Sequence, residues 1–227
     1  MKKEMLKTGL TLMVFTVVAG LALSLVYVAT KDRIKKSEIS AKLEAINQVL
    51  RDPISGAIIV DEREVNEIVR REGVESRTLR EYKEGTVLGP LYTFLSRDGR
   101  KVYVLSAQAP GYGGNVVTMA CFIENGEGLM LNVIRVLDYS QETPGLGAKI
   151  GETTVQERFS LIPPEGLEHG VRVDKDAGSP QGTVEELKAK GIVKVSDVMT
   201  GATITPRAVT TAINLMYKYL TEEVLKR

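Results

Sequence analysis

Residues 91–137 read LYTFLSRDGRKVYVLSAQAPGYGGNVVTMACFIENGEGLMLNVIRVL. Residues 91–96 are an apolar run, Arg97-Asp98-Gly99-Arg100 carries an Asp-Gly turn signal, and residues 101–107 return as a second strand. Ala109-Pro110-Gly111-Tyr112-Gly113-Gly114 then forms a glycine-rich loop, and residues 116–123 with 129–137 make another hairpin across Asn125-Gly126. Strands joined by such short turns pair antiparallel. The expected class is therefore α+β with a largely antiparallel sheet and flanking helices.

Working outward, the downstream half holds a polar loop, Pro163-Pro164, a Gly/Pro-containing segment near 177–182, a short helix around 183–190 and a strand at 192–195. A closing helix is expected from Pro206 to about Lys226. Upstream, residues 54–90 are mixed and highly charged, and read as short strands and turns. Residues 31–50, KDRIKKSEISAKLEAINQVL, read as helix, because Ile39, Leu43, Ile46 and Leu50 recur on one stripe. Arg51-Asp52-Pro53 ends it, since the residue before a proline is pushed out of the helical region.

The N-terminus is of a different kind. From Thr8 to Thr30 there are 23 consecutive uncharged residues. A helix of that length spans about 35 Å, enough for a hydrocarbon core of about 30 Å. A cleaved signal peptide is the competing reading, but its apolar region runs only about 7–15 residues. Lys2, Lys3 and Lys7 precede the run, and Lys31, Arg33, Lys35 and Lys36 follow it. Both flanks are basic, so the positive-inside rule finds little asymmetry. Three lysines against one glutamate give residues 1–30 a charge of +2, which leaves −1 of the chain's +1 for the other 197 residues. The organisation expected is a membrane anchor at 1–30, a juxtamembrane helix at 31–53 and a soluble domain at 54–227.

Composition excludes several chemistries. The chain has 227 residues, 30 Lys and Arg against 29 Asp and Glu, one Cys and one His. The charge balance leaves no electrostatic footprint for nucleic acid. One Cys excludes a disulfide framework and a cysteinyl iron–sulfur cluster, and one His excludes a multi-histidine zinc site within one chain. Cys121 lies in an apolar strand and is expected to be buried, whereas His169 sits in a polar loop and is expected to be exposed.

Two segments could carry chemistry. Asp197-Val198-Met199-Thr200-Gly201-Ala202-Thr203-Ile204-Thr205-Pro206 is a strand-to-helix junction, with Thr205 expected as N-cap and Pro206 at the first helical position. Free N–H groups and clustered hydroxyls at a helix start suit a phosphate, and they also suit an ordinary capped helix. Gln141-Glu142-Thr143-Pro144-Gly145-Leu146-Gly147-Ala148-Lys149-Ile150 has glycines, but not the spacing or βαβ setting of a dinucleotide fingerprint. Such a Pro-Gly-x-Gly loop can lie flat on an aromatic ligand, with Thr143 offering a hydroxyl and Leu146 an apolar face, or it can be a surface turn.

Together, in this order behind one anchor helix, these segments resemble the covalent-FMN subunit family of membrane redox pumps. That family comprises the RnfG component of the Rnf ion-translocating ferredoxin:NAD oxidoreductase and its relative in the sodium-pumping NADH:quinone oxidoreductase. It carries Glu-Thr-Pro-Gly-Leu-Gly and then Ser/Thr-Gly-Ala-Thr, matched here by residues 142–147 and 200–203. Asp197 begins the wider flavin-transferase acceptor pattern, Asp-x-x-Ser/Thr-Gly-Ala-Thr. The resemblance covers the anchor and about residues 100–220.

It implies that Thr203 carries FMN through a phosphoester installed by a separate flavin transferase. It also implies that Asp197, Thr200, Gly201, Ala202 and Thr205 surround the attachment point, and that Glu142, Thr143, Leu146 and Gly147 tune the ring, with Lys149 a weaker candidate. Thr200 stands where Ser is commoner in the family, and Pro206 where Ser is usual. No catalytic acid or base and no metal ligand is expected. The implied protein is a non-autonomous electron-carrying subunit of an ion-translocating oxidoreductase. Its partners would be other subunits of a membrane redox complex, the flavin transferase and membrane lipid. The implied place is the inner (cytoplasmic) membrane, single-pass, with the soluble domain extracytoplasmic. Within the family the compact chain favours the Rnf component over the quinone-reductase one. A stand-alone tethered flavoprotein reductase and a flavin-free membrane-anchored binding module are the alternatives from other classes.

Overall fold

In a five-stranded meander each strand pairs antiparallel with the next: β1 (Arg77–Tyr82), β2 (Gly85–Leu95), β3 (Lys101–Pro110), β4 (Asn115–Asn125) and β5 (Gly128–Asp138), in spatial order β1-β2-β3-β4-β5. The computed structural model describes residues 2–226, and within that span the side chains of Lys2, Lys35 and Glu38 are not described. Met1 and Arg227, the outer limits of the expected anchor and soluble domain, lie outside the described residues. The β4–β5 turn closes with Asn125 opposite Gly128, as the Asn-Gly signal predicts. Besides the sheet there is a two-residue parallel pair, β6 (Arg172–Val173) with β7 (Ile192–Val193), and the short helices α3 (Thr153–Gln156), α4 (Pro164–Glu168) and α5 (Val184–Ala189) lie between β5 and β7 along the chain.

Side chains alternate across a strand, so the strands sort their apolar residues onto two faces. On one face lie Tyr103, Leu105, Ala107, Ala120 and Phe122, covered by α6 (Ile204–Tyr219) through Ala208, Val209, Ala212, Ile213 and Met216. On the other lie Val102, Val104, Met119, Cys121 and Ile123, covered by Ala45, Ile46, Val49 and Leu50 together with α2 (Glu62–Glu72). Coverage on both faces explains why residues 101–107 and 116–123 read as nearly continuous apolar runs rather than strict alternations. Cys121 is fully buried, and burial pushes its thiol up to about 12; His169 is exposed.

Residues 54–90 differ from the short strands and turns expected of them. Residues 62–72 are helical in α2, where Asp61 caps the start by accepting from the Arg63 N–H at 2.8 Å, and Val65, Ile68 and Val69 are buried at helical spacing. The dense charges of this segment lie on the helix's solvent side and obscure that spacing in the sequence. The closing helix also differs from expectation: it starts at Ile204 rather than Pro206, and a π-helical turn at Leu220–Val224 follows its last α-helical residue, Tyr219.

The chain divides into two compact units, Met1–Ala41 and Lys42–Arg227. The first belongs to α1 (Lys2–Val49), a helix long and apolar enough to cross a membrane. It runs without a break through residues 30 and 31, the expected junction of anchor and juxtamembrane helix. Its threonines satisfy their hydroxyls locally: Thr11 donates to the Lys7 carbonyl at 2.9 Å and Thr16 to that of Leu12 at 2.8 Å. In the second unit, the buried Asn132 on β5 donates to the carbonyls of Val49 (3.2 Å) and Arg51 (2.9 Å), capping the helix end. Arg135 Nε donates to Gln48 Oε1 at 2.7 Å. The last turns of α1 are thus part of the body's core.

Candidate functional site

At the start of α6 two loops from elsewhere in the chain converge. The approach is a turn in which Val198 and Met199 donate N–H to the Val195 carbonyl at 3.1 and 2.9 Å, and Ala202 N–H donates to that of Met199 at 3.2 Å. Gly201 sits at φ +83°, a left-handed conformation that a side chain strains, and this reverses the chain into the helix. Below the turn the buried Asp174 carboxylate accepts from the N–H groups of Val195 and Ser196, each at 3.3 Å, and from the Ser196 hydroxyl at 2.5 Å. Asp174 is not among the sequence candidates, and nothing local to it points to this role.

A cavity of about 420 Å³ opens there, lined by Tyr112, Glu142, Thr143, Leu146, Gly147, Gly201, Ala202, Thr203, Ile204 and Thr205. Both motifs therefore contribute walls to one space. Thr203 is the N-cap of α6, half-buried, with no capping bond from its side chain. That corrects the expected N-cap at Thr205. Thr205 is buried inside the first turn, and its hydroxyl donates to Glu142 Oε2 at 2.5 Å across 63 residues of sequence. The physical reason is that a tertiary acceptor takes the Thr205 hydroxyl, so the cap position falls two residues earlier.

Glu142 itself is 5% exposed, and its Oε1 accepts the Tyr112 N–H at 2.8 Å and the Gly113 N–H at 3.4 Å. Thr143 turns the loop through its carbonyl, which accepts from the Leu146 and Ala148 N–H groups at 3.1 Å each. Leu146 and Ile204 are partly exposed at the mouth, and Tyr112 is 71% exposed beside them.

The structure does not bring every candidate into the lining. The Thr200 hydroxyl donates back to the Ser196 carbonyl at 3.1 Å, and Asp197 accepts from Arg158 Nη1 at 3.0 Å. Lys149 lies outside the cavity lining. Arg207, on the first turn of α6, is gripped by both carboxylate oxygens of Asp176 and holds that carboxyl below its ordinary range. Two lining residues, Tyr112 and Ile204, are not singled out by the sequence. Tyr112 carries a signal in its Gly-Tyr-Gly-Gly setting, whereas Ile204 is hidden by the late helix start expected at Pro206.

Chemically the cavity pairs an anion-seeking end with an apolar one. Helix N-terminal N–H groups and the uncapped Thr203 hydroxyl form the first, and Leu146, Ile204, Ala202 and the Tyr112 ring form the second. Its volume lies in the range of about 300–1,000 Å³ usual for cofactor sites.

The chain is similar to known proteins along most of its length. Residues 1–49 match the RnfG N-terminal region, and residues 111–218 match the FMN-binding domain. The G component of the ion-translocating oxidoreductase complex of Vibrio cholerae is 28% identical over 224 residues, covering 95% of this chain and 90% of its own length. The G component of the proton-translocating ferredoxin:NAD(+) oxidoreductase complex of Clostridium ljungdahlii is 30% identical over 126 residues, 53% of this chain and 55% of its own. A crystal structure from Thermotoga maritima, described as an RnfG subunit of an electron transport complex, superposes with a TM-score of 0.70. It is 55% identical, and the match covers 83% of this chain and 99% of that one.

Proposed function

The chain belongs to the RnfG family of electron-transport-complex subunits, and from that membership we propose that it is a flavoprotein subunit of an ion-translocating oxidoreductase, carrying FMN covalently on Thr203 and relaying electrons between other subunits' centres. The observation that carries this reading is the shared cavity: the Glu142–Gly147 loop and the Gly201–Thr205 turn, far apart in sequence, wall one space at the start of α6. Its residues fit the group. Thr203 offers a hydroxyl committed to no cap, the first-turn N–H groups favour a phosphate, and Leu146, Ile204 and Tyr112 offer apolar surface for a flat ring.

FMN, when bound, supplies the one- and two-electron chemistry, and the chain supplies attachment, orientation and surroundings. Thr203 holds the phosphate end as an ester. Gly201 and Ala202 keep bulk away from that end, and Glu142 and Thr143 shape the opposite wall. Thr200 and Asp197 contribute outside the lining, where they brace the turn that a flavin transferase would have to recognise. None of these side chains is asked to act as an acid or base toward a substrate.

The long helix supports a membrane-anchored subunit; the inner membrane as its place and the extracytoplasmic side for its soluble domain are what the family resemblance implies. Membership in a multi-subunit complex supports other subunits as partners, the polytopic ones beside the anchor among them.

The test is intact mass under denaturing conditions after co-expression with a flavin transferase. A gain of one FMN less one water, absent from Thr203→Ala, is the expected result. No adduct, with a transferase active on a control acceptor, would overturn covalent attachment and leave a membrane-anchored binding module.

A further inference from the structure

We propose that Glu142 is a positioning residue that sets the shape of the pocket before any flavin arrives, rather than a group that addresses the flavin ring; the proposal rests on the FMN reading above. Both carboxylate oxygens are already committed. Oε1 accepts from the backbone N–H groups of Tyr112 and Gly113, and Oε2 from the Thr205 hydroxyl. The residue is 5% exposed, and a hydrogen bond in a low-dielectric interior is stronger than one at a wet surface, so the grip is worth more here.

The three donors come from two different parts of the chain. Tyr112 and Gly113 belong to the loop between β3 and β4, and Thr205 to the first turn of α6. Glu142 itself stands in the third segment, the loop after β5. One side chain therefore spaces all three walls of the cavity.

The fit is close. A Cβ placed on Gly147 would lie 2.5 Å from Glu142 Oε2 and 2.8 Å from Thr205 Oγ1, so the next turn of the loop passes over the clamp with no room for a side chain. Through this arrangement Glu142 fixes where the Tyr112 backbone, and with it that wall of the cavity, stands relative to the start of α6.

The experiment uses the full chain. Amide hydrogen exchange at Tyr112 is followed in the flavin-free protein, and the initial rate of adduct formation with a flavin transferase is followed by intact mass. Glu142→Ala is expected to speed Tyr112 exchange about tenfold or more while Ala120, in the middle of β4, stays protected. Both Glu142→Ala and Thr205→Val are expected to slow adduct formation about tenfold or more, with Thr205→Ser restoring it.

Wild-type exchange at Tyr112, or wild-type adduct rates in both variants, overturns the proposal. If Glu142→Ala fails to fold, the Thr205→Val and Thr205→Ser pair decides, because a purely structural loss would not be rescued by returning one hydroxyl. The Thr203→Ala chain separates the two readings: it should keep Tyr112 protected and gain no adduct. An adduct on Thr203→Ala would sink attachment at Thr203 and leave the exchange result to judge the clamp.

Discussion

One face of the sheet is covered by α6 and the other by the end of α1 together with α2, and the start of α6 and the end of α1 have opposite polarity. On one face α6 begins, presenting N–H groups and the positive end of its dipole to the cavity. On the other face α1 ends, presenting carbonyls that Asn132 occupies with two hydrogen bonds. Both faces are dry, with Phe122 wholly buried under α6 and Phe94 under α1 and α2. The start of α6 opens on the cavity, whereas that of α2 is taken by the Asp61 carboxylate. Apolar packing thus stabilises the body without locating the site, and helix direction locates it.

The largest expected effect separates attachment from packing. Thr203→Ala should abolish the FMN adduct while moving stability by less than about 0.5 kcal/mol, because no capping bond is lost. Ile46→Ala on the far face should do the reverse, keeping the adduct and costing about 2–5 kcal/mol. Intact mass and urea unfolding read the two outcomes, and a far-face variant that loses its adduct while still folded would break the comparison.

Next come matched core truncations. Phe122→Ala and Phe94→Ala should each cost about 3–5 kcal/mol in denaturant unfolding, since both rings are fully buried. A much smaller cost for Phe94→Ala would mean that α1 and α2 cover their face only loosely. Asn132→Ala should cost about 1–3 kcal/mol by orphaning the Val49 and Arg51 carbonyls, with hydrogen exchange in the last turn of α1 rising before that of α6.

The smallest effect is at the surface beside the site. Arg207→Ala removes the ion pair with Asp176 and should cost less than about 1 kcal/mol, reduced further by salt. Because Arg207 lowers the Asp176 carboxyl, the pair's contribution is present above the ordinary carboxylate range and is lost as pH falls through the folded-state value. A flatter pH profile for Arg207→Ala below that range is the expected result in thermal unfolding.

Much of this was legible in residues close together in the chain. The Asn125-Gly126 turn predicts its hairpin, and the apolar run from Thr8 to Thr30 predicts a helix long enough to cross a membrane. Around 183–190 a short helix is expected, and Thr183 and Glu186 do form a capping box at its start. The misses share a cause. The α2 segment carries so many charges that its three buried residues are outnumbered, and Thr205 looks like an N-cap because Ser and Thr before proline commonly are one. Asp197 and Thr200 belong to the attachment pattern as sequence, yet their side chains pair locally with Arg158 and the Ser196 carbonyl.

By itself the sequence determined the elements whose causes are local: turn residues, helix periodicity, an uncharged span, a pair of motifs in a fixed order. Tertiary structure alone decided which distant groups meet. The bond from Thr205 to Glu142 spans 63 positions, and that from Asn132 to Val49 spans 83. A buried donor takes whichever acceptor the folded chain delivers to it, because leaving either unsatisfied costs about 1–3 kcal/mol, and no spacing along the chain announces that choice.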